Sequence, residues 1–153
     1  MRIWVDADAC PGAVKEIIVR ATGRTGIHAV FVANKAIGLP DSARLSRVRL
    51  AKDPEAVDEY IAEHAEAGDL AVTQDIPLAS VLIPKGVVVM TPRGELFTEG
   101  NMGERLSIRN FMQEIREAGA ITPGPRPFSQ KDRQRFADAL DRELTRLMRR
   151  SGS

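Results

Sequence analysis

The sequence predicts an α/β domain built on a mainly parallel central sheet of about five strands, with helices on both faces and further helices at its C-terminal end. Short β-branched runs alternate with segments of helical period through residue 91. Capping and turn residues punctuate each change of period. The length of 153 residues, with 43% hydrophobic and 28% charged residues, suits one soluble globular domain with a sizeable core.

The elements follow in order. Residues 2–6 read as a first strand around the apolar run Ile3-Trp4-Val5. Pro11 suits the first turn of a helix over 12–22, whose Val14, Ile17, Ile18 and Ala21 share one face and which Gly23 and Gly26 end. Residues 28–33 form a second strand, and a loop marked by Gly38 and Pro40 runs to about Ser46. Val48-Arg49-Leu50 is a short third strand. Asp53-Pro54 opens a helix over 54–66 as cap and first turn. A fourth strand over 70–73, a short helix over 76–83 and a fifth strand over 87–90 complete the alternation.

After Thr91 the pattern changes, so residues 1–91 read as the sheet core and 92–150 as a loop and C-terminal helices of the same domain. Pro92-Arg93-Gly94 lies in a loop, and a helix runs from Asn101 to about Ala118. The proline-rich 122–127 cannot be regular structure. Ser129 caps a last helix over 130–149, with Phe136, Leu140, Leu144 and Leu147 in one stripe that packs on its own sheet or on a second chain. Residues 150–153 read as a frayed tail.

No apolar run approaches the roughly 20 residues of a membrane span. Asp6 and Asp8 interrupt the place of a secretory h-region, so a cytoplasmic protein without a membrane partner is expected. A single cysteine excludes an intrachain disulfide and a multi-cysteine zinc site. Residues 1–100 carry 11 basic and 14 acidic side chains, whereas 101–153 carry 11 and 7. That basic C-terminal excess fits a phosphate-bearing partner such as RNA, or a solvated helix.

In a parallel sheet the C-terminal ends of the strands lie on one edge, where ligands bind open α/β sheets. The first strand ends at Asp6 and Asp8, the second at Asn34, the third at Asp53, the fourth at Asp75 and the fifth at Thr91 and Arg93. Crowded carboxylates repel unless a cation or shared protons intervene, and oxygen ligands suit Mg²⁺ or Mn²⁺. Each residue also has a plainer reading: Asp8, Asp53 and Asp75 as helix caps, Asn34 as a turn residue, Asp58 as surface. Asp6 has the weakest such alternative, because a carboxylate directly after Trp4-Val5 is expensive to bury without a partner. Asp69 opens its strand and belongs to the opposite edge. Cys10 has no histidine placed by spacing to activate it, since His28 opens a strand and His64 falls late in a helix, and it reads as a packing residue.

Asp-Ala-Asp-Ala-Cys-Pro at 6–11, Gly-Asp-Leu-Ala-Val-Thr-Gln-Asp-Ile-Pro-Leu-Ala at 68–79 and Gly-Pro-Arg-Pro-Phe at 124–128 resemble, in that order, the YaiI/YqxD family of small bacterial proteins. The resemblance covers nearly the whole chain. The family is usually grouped with PIN-like nuclease folds, and Thr73-Gln74-Asp75 is similar to the Thr-x-Asp that ends the fourth strand of PIN domains. The resemblance implies that Asp6 and Asp75 match the acids that bind magnesium or manganese for RNA hydrolysis there. PIN domains commonly add a helical glutamate, whose place Asp53 or Asp58 would take.

The expectation is therefore a metal-dependent nuclease acting on RNA. Asp6, Asp8 and Asp75 would hold Mg²⁺ or Mn²⁺, with Asp53 as an outer ligand. Asn34 and Thr73 would orient water or a phosphate oxygen, and Arg93, Arg105 and Arg109 would contact the nucleic-acid backbone. One alternative is a haloacid-dehalogenase-like phosphohydrolase with Asp6 as nucleophile. The position of Asp69 at the start of its strand argues against it. The other is a non-catalytic RNA-binding module that depends on phosphate contact, since aromatic residues make up only 5%.

Overall fold

A computed structural model describes residues 1–53, 55–121 and 126–152. The sheet has six strands: β1 (Arg2–Asp6), β2 (His28–Ala33), β3 (Leu45–Arg49), β4 (Leu70–Val72), β5 (Val88–Met90) and β6 (Leu96–Phe97). Their order is β3-β2-β1-β4-β5-β6, with every neighbouring pair parallel except β5 and β6. The helices are α1 (Gly12–Thr25), α2 (Ala56–His64), α3 (Ile76–Leu82), α4 (Glu99–Glu117) and α5 (Gln130–Gly152). The α/β class and the parallel core are as the sequence predicts.

Alternation along the strands builds two apolar layers. Ile3, Val5, Ala29 and Phe31 face one side with α1 and α5, while Trp4, Val30 and Val32 face the other with α2, α3 and the start of α4. Phe136, Leu140, Leu144 and Leu147 of α5 are all buried in the first layer, so the stripe packs on its own domain. Glu143 interrupts the stripe. It is buried with Arg146 at 3.3 Å and Arg142 at 3.7 Å. Beyond Leu106, α4 is largely exposed, Ile108 and Phe111 included.

Several boundaries shift for physical reasons. Gly23 lies inside α1, which ends at Gly26, where a φ of 76° closes a left-handed cap onto the Thr22 carbonyl. β3 starts earlier, at Leu45, because residues 45–49 pair in register with 29–33. Its half-exposed residues mark a sheet edge, a pattern with little hydrophobic signal. α2 starts at Ala56 with Glu55 at its N-cap, and Asp53 forms a turn ahead of it. Pro54, the proline-rich stretch 122–125 and Ser153 lie outside the described residues. α4 starts at Glu99 through a reciprocal capping box between Thr98 and Asn101. β6 is an element the sequence pattern misses, since two residues leave no periodicity to read.

At the far edge, Asp69 accepts hydrogen bonds from the Arg2 and Glu66 amides and from Trp4 Nε1, at 2.9–3.0 Å. It pins β1 to the start of β4, the structural place its sequence position indicates.

The C-terminal helix is tied down by a second charged group. Ser129 and Asp132 cap each other at the start of α5. The buried Asp132 carboxylate also receives Arg126 at 2.7 and 2.8 Å and Arg93 at 2.7 Å. Hydrogen bonds from Arg126 and Ser129 hold its carboxyl well below the usual carboxylate range. A depressed folded-state pKa stabilises above the ordinary value of 3.8 and is lost as pH falls below it. Asp132→Asn is therefore expected to melt lower than wild type at pH 7, with the difference shrinking below about pH 4. Thermal melts from pH 3 to pH 7 check it, and a constant difference would contradict the account.

A candidate acidic site between β1 and β4

The strand order reverses between β1 and β4, and the chain leaves both strands at the same edge. Such a switch point leaves a crevice, because the following connections turn to opposite faces. Asp6 ends β1, and the next residues form a 3₁₀ turn over Ala7–Ala9. Beside it the fully buried Thr73 follows β4. Thr73 Oγ1 donates to Asp6 Oδ2 at 3.0 Å and accepts from the Asp75 amide at 3.0 Å. One hydroxyl thus fixes Asp6 and the turn that carries Asp75. Asp75 Oδ1 accepts from the Leu78 amide at 2.7 Å and caps α3.

The third carboxyl comes from α2. Asp58 hydrogen-bonds the Asp75 carboxyl. Burial, that bond and the charges of Asp75, Asp6 and Glu55 push Asp58 up to about 7. Burial also raises Asp6, against the Thr73 hydrogen bond, and the charges of Asp8 and Asp75 add to the rise. Three acids from three elements are therefore brought to one edge, where burial and their neighbours' charges raise Asp58 and Asp6. A cavity of about 350 Å³ opens here, lined by Asp6, Ala9, Gln74, Asp75, Ile76 and Arg109. A second hollow of about 460 Å³ includes Asp58 and shares Asp75 and Arg109 with it. Arg109, from α4, overhangs both.

The remaining sequence candidates fall elsewhere. Asp8 is exposed and its Oδ2 accepts from the Asn34 amide at 2.7 Å. The Asn34 side chain donates to the carbonyls of Ala51 and Asp53, so it secures the chain after β3 and does not reach toward a water or phosphate at Asp6. Asp53 Oδ1 accepts from the Glu55 amide at 3.0 Å, and Asp53 lines neither hollow. Arg93 is committed to Asp132 and the Arg126 carbonyl and lies over Phe128, so its role is to clasp α5. Arg105 pairs with Glu95 at 3.1 Å and lies over Phe97. Of the three arginines, Arg109 alone lines the acidic hollows. Gln74 and Glu55 also line them without having been singled out from the sequence. The buried Cys10 thiol is pushed up to about 12, mainly by burial and then by Asp6, and is no nucleophile at neutral pH.

Three oxygen-donor side chains suit a hard divalent cation. Among the described residues no three His, Cys, Asp or Glu side chains stand close enough to ligate one ion together. The arrangement thus fits a cation held by one or two carboxylates and completed by water or substrate oxygens, the usual manner of Mg²⁺.

The raised Asp58 has a measurable consequence. A carboxyl whose folded pKa rises from 3.8 to about 7 loses stability as pH climbs through that interval. Asp58→Asn removes the penalty. In metal-free buffer at pH 8 this variant is expected to be more stable by about 1 kcal/mol after allowing for solvent screening. That corresponds to roughly 2–4 °C in melting temperature. At pH 4 the gain is expected to vanish. A variant that melts lower than wild type at pH 8 would show that Asp58 is there for stability alone.

Among the described residues no helix is long and apolar enough to cross a membrane. No solved structure matches the chain. It is similar to a UPF0178 protein of Syntrophobacter fumaroxidans, 67% identical over 153 residues and 100% of both chains. UPF0178 proteins of Myxococcus xanthus and Trichlorobacter lovleyi are 61% and 50% identical, each over 97% of both chains. A family model described as "Uncharacterized BCR, YaiI/YqxD family" matches residues 4–146. With the three motifs in place and relatives this similar along the whole chain, the protein belongs to the YaiI/YqxD family.

Proposed function

We propose that the acidic edge is the site of a metal-dependent hydrolase with a PIN-like arrangement, cleaving phosphodiester bonds in RNA. The observation that carries this reading is the meeting of Asp6, Asp58 and Asp75, from three separate elements, beneath Arg109 at the switch point. Packing alone gives no reason to gather three acids where they repel one another.

Asp6 and Asp75 would hold Mg²⁺ or Mn²⁺, Asp6 steadied by Thr73. When bound, the cation would supply Lewis-acid neutralisation of phosphate charge and a more acidic water. Asp58, raised to about 7, can give or take a proton beside the reacting phosphate. Arg109 can contact a phosphate oxygen from the opposite wall. The hollow has room for a nucleotide linkage.

Mn²⁺ titration by calorimetry, followed by cleavage assays on single-stranded RNA and DNA, tests the proposal. Metal binding with RNA cleavage supports it. Absence of Mn²⁺ binding would sink it, and a trapped aspartyl-phosphate at Asp6 would transfer the site to phosphomonoester chemistry.

A further inference from the structure

We propose that a second pocket, on the other side of the Ala7–Ala9 turn, binds a phosphoryl group of the nucleic-acid strand through Lys15 and Lys35. This rests on the nuclease reading only for the identity of the molecule that carries the phosphate.

The turn after β1 separates two hollows. Asp6 and Ala9 line the acidic one, while Ala7, Asp8 and Cys10 line a pocket of about 160 Å³ toward α1 and β2. Lys15 enters it from the first turns of α1, and Lys35 from the chain just after β2. Lys15 is half-buried, yet among the described residues neither ammonium forms an ion pair. Two cations line one small hollow, so an anion placed in it would be attracted by both.

Asp8 is the single acid in the lining, and its Oδ2 already accepts from the Asn34 amide at 2.7 Å. Two lysines against one carboxylate leave the lining with a net charge of +1. The first turn of α1 contains no acidic residue. The pocket has less than half the volume of the acidic cavity. Its two lysines suit a tetrahedral oxyanion. Because one short turn forms the wall between the two hollows, a strand with one phosphate at Asp6 and Asp75 would present a neighbouring phosphate to the lysines.

The test uses a short fluorescein-labelled single-stranded RNA, with binding followed by fluorescence polarisation across a salt series. Wild type is compared with Lys15→Gln/Lys35→Gln and with Lys15→Arg/Lys35→Arg. The glutamine double variant is expected to bind more weakly, with the slope of log K against log salt shallower by about 0.7, one phosphate contact on a single strand. Its Mn²⁺ isotherm and melting temperature are expected to stay at wild-type values, and the arginine variant is expected to restore binding. RNA binding with the same affinity and slope in the glutamine variant overturns the pocket and leaves the nuclease reading standing. A wild type that ignores RNA, yet is stabilised by inorganic phosphate only when the lysines are present, keeps the pocket as a free-phosphate site and removes the nuclease reading. Lysine-independent responses to both probes overturn the pocket outright.

Discussion

Asp6→Asn is expected to weaken Mn²⁺ binding by at least about 100-fold and to slow RNA cleavage by a factor on the order of 10²–10³. The substitution keeps the shape of the side chain and an oxygen that can accept from Thr73 Oγ1, so the end of β1 stays in place. It removes the negative charge that a hard cation requires. It also removes a buried carboxylate that Asp8 and Asp75 repel, so the metal-free protein is expected to fold at least as well as wild type. Loss of binding with retained or improved stability is the signature of a functional carboxylate; a packing residue moves both together. Calorimetry, cleavage rates and thermal melts on one preparation separate the two. Wild-type Mn²⁺ affinity in Asp6→Asn would show that the cation, if bound, sits elsewhere.

The largest effect on folding is expected at Gly94. This residue closes the turn between β5 and β6 with a φ of 84°, and its amide donates to the Thr91 carbonyl. The turn presses against the backbone of α5. A Cβ at position 94 would lie 2.6 Å from the Arg135 carbonyl oxygen and 2.9 Å from the Phe136 nitrogen. Backbone cannot move aside as a flexible side chain can. Gly94→Ala thus combines a left-handed conformation unfavourable to alanine with a collision that displaces α5 from the sheet. The expected loss is about 2–4 kcal/mol, read from urea unfolding. Gly103→Ala, on α4 where an added Cβ meets nothing within 4 Å, is the matched control. Equal stability of the two variants would mean that α5 does not approach the turn this closely.

Both results depend on contacts between residues far apart in the chain, and such contacts divide what could be read in advance from what could not. Asp6 and Asp75 were legible because each directly follows an apolar strand, and parallel strands place such ends on one edge. Asp58 stood out less. Whether a helical acid faces solvent or the sheet edge depends on the helix's rotation about its axis, and that is set by Val57 and Ile61 packing beneath it. Arg93 looked like a phosphate ligand because it follows the fifth strand. Its partner Asp132 lies 39 residues on, and nothing local announces the pair. Asn34 and Asp53 sit near the expected edge, but Asn34 ties down the chain after β3 through the carbonyls of Ala51 and Asp53, and Asp53 accepts from the Glu55 amide two residues on, where a helix cap was the plainer expectation.

By itself the sequence determined the α/β class, the parallel strands, the two-sided core and the acidic character of one sheet edge. These follow from periodicity, capping and burial, which act over a few residues at a time. Only the tertiary structure decided which acids meet, which arginine overhangs them and which arginines instead hold α5. Those outcomes depend on crossover geometry and on the rotation of each helix against the sheet. A carboxyl displaced by a few ångströms passes from the neighbourhood of Asp75 into water, because charge interactions inside a protein fall off steeply between contact and solvent.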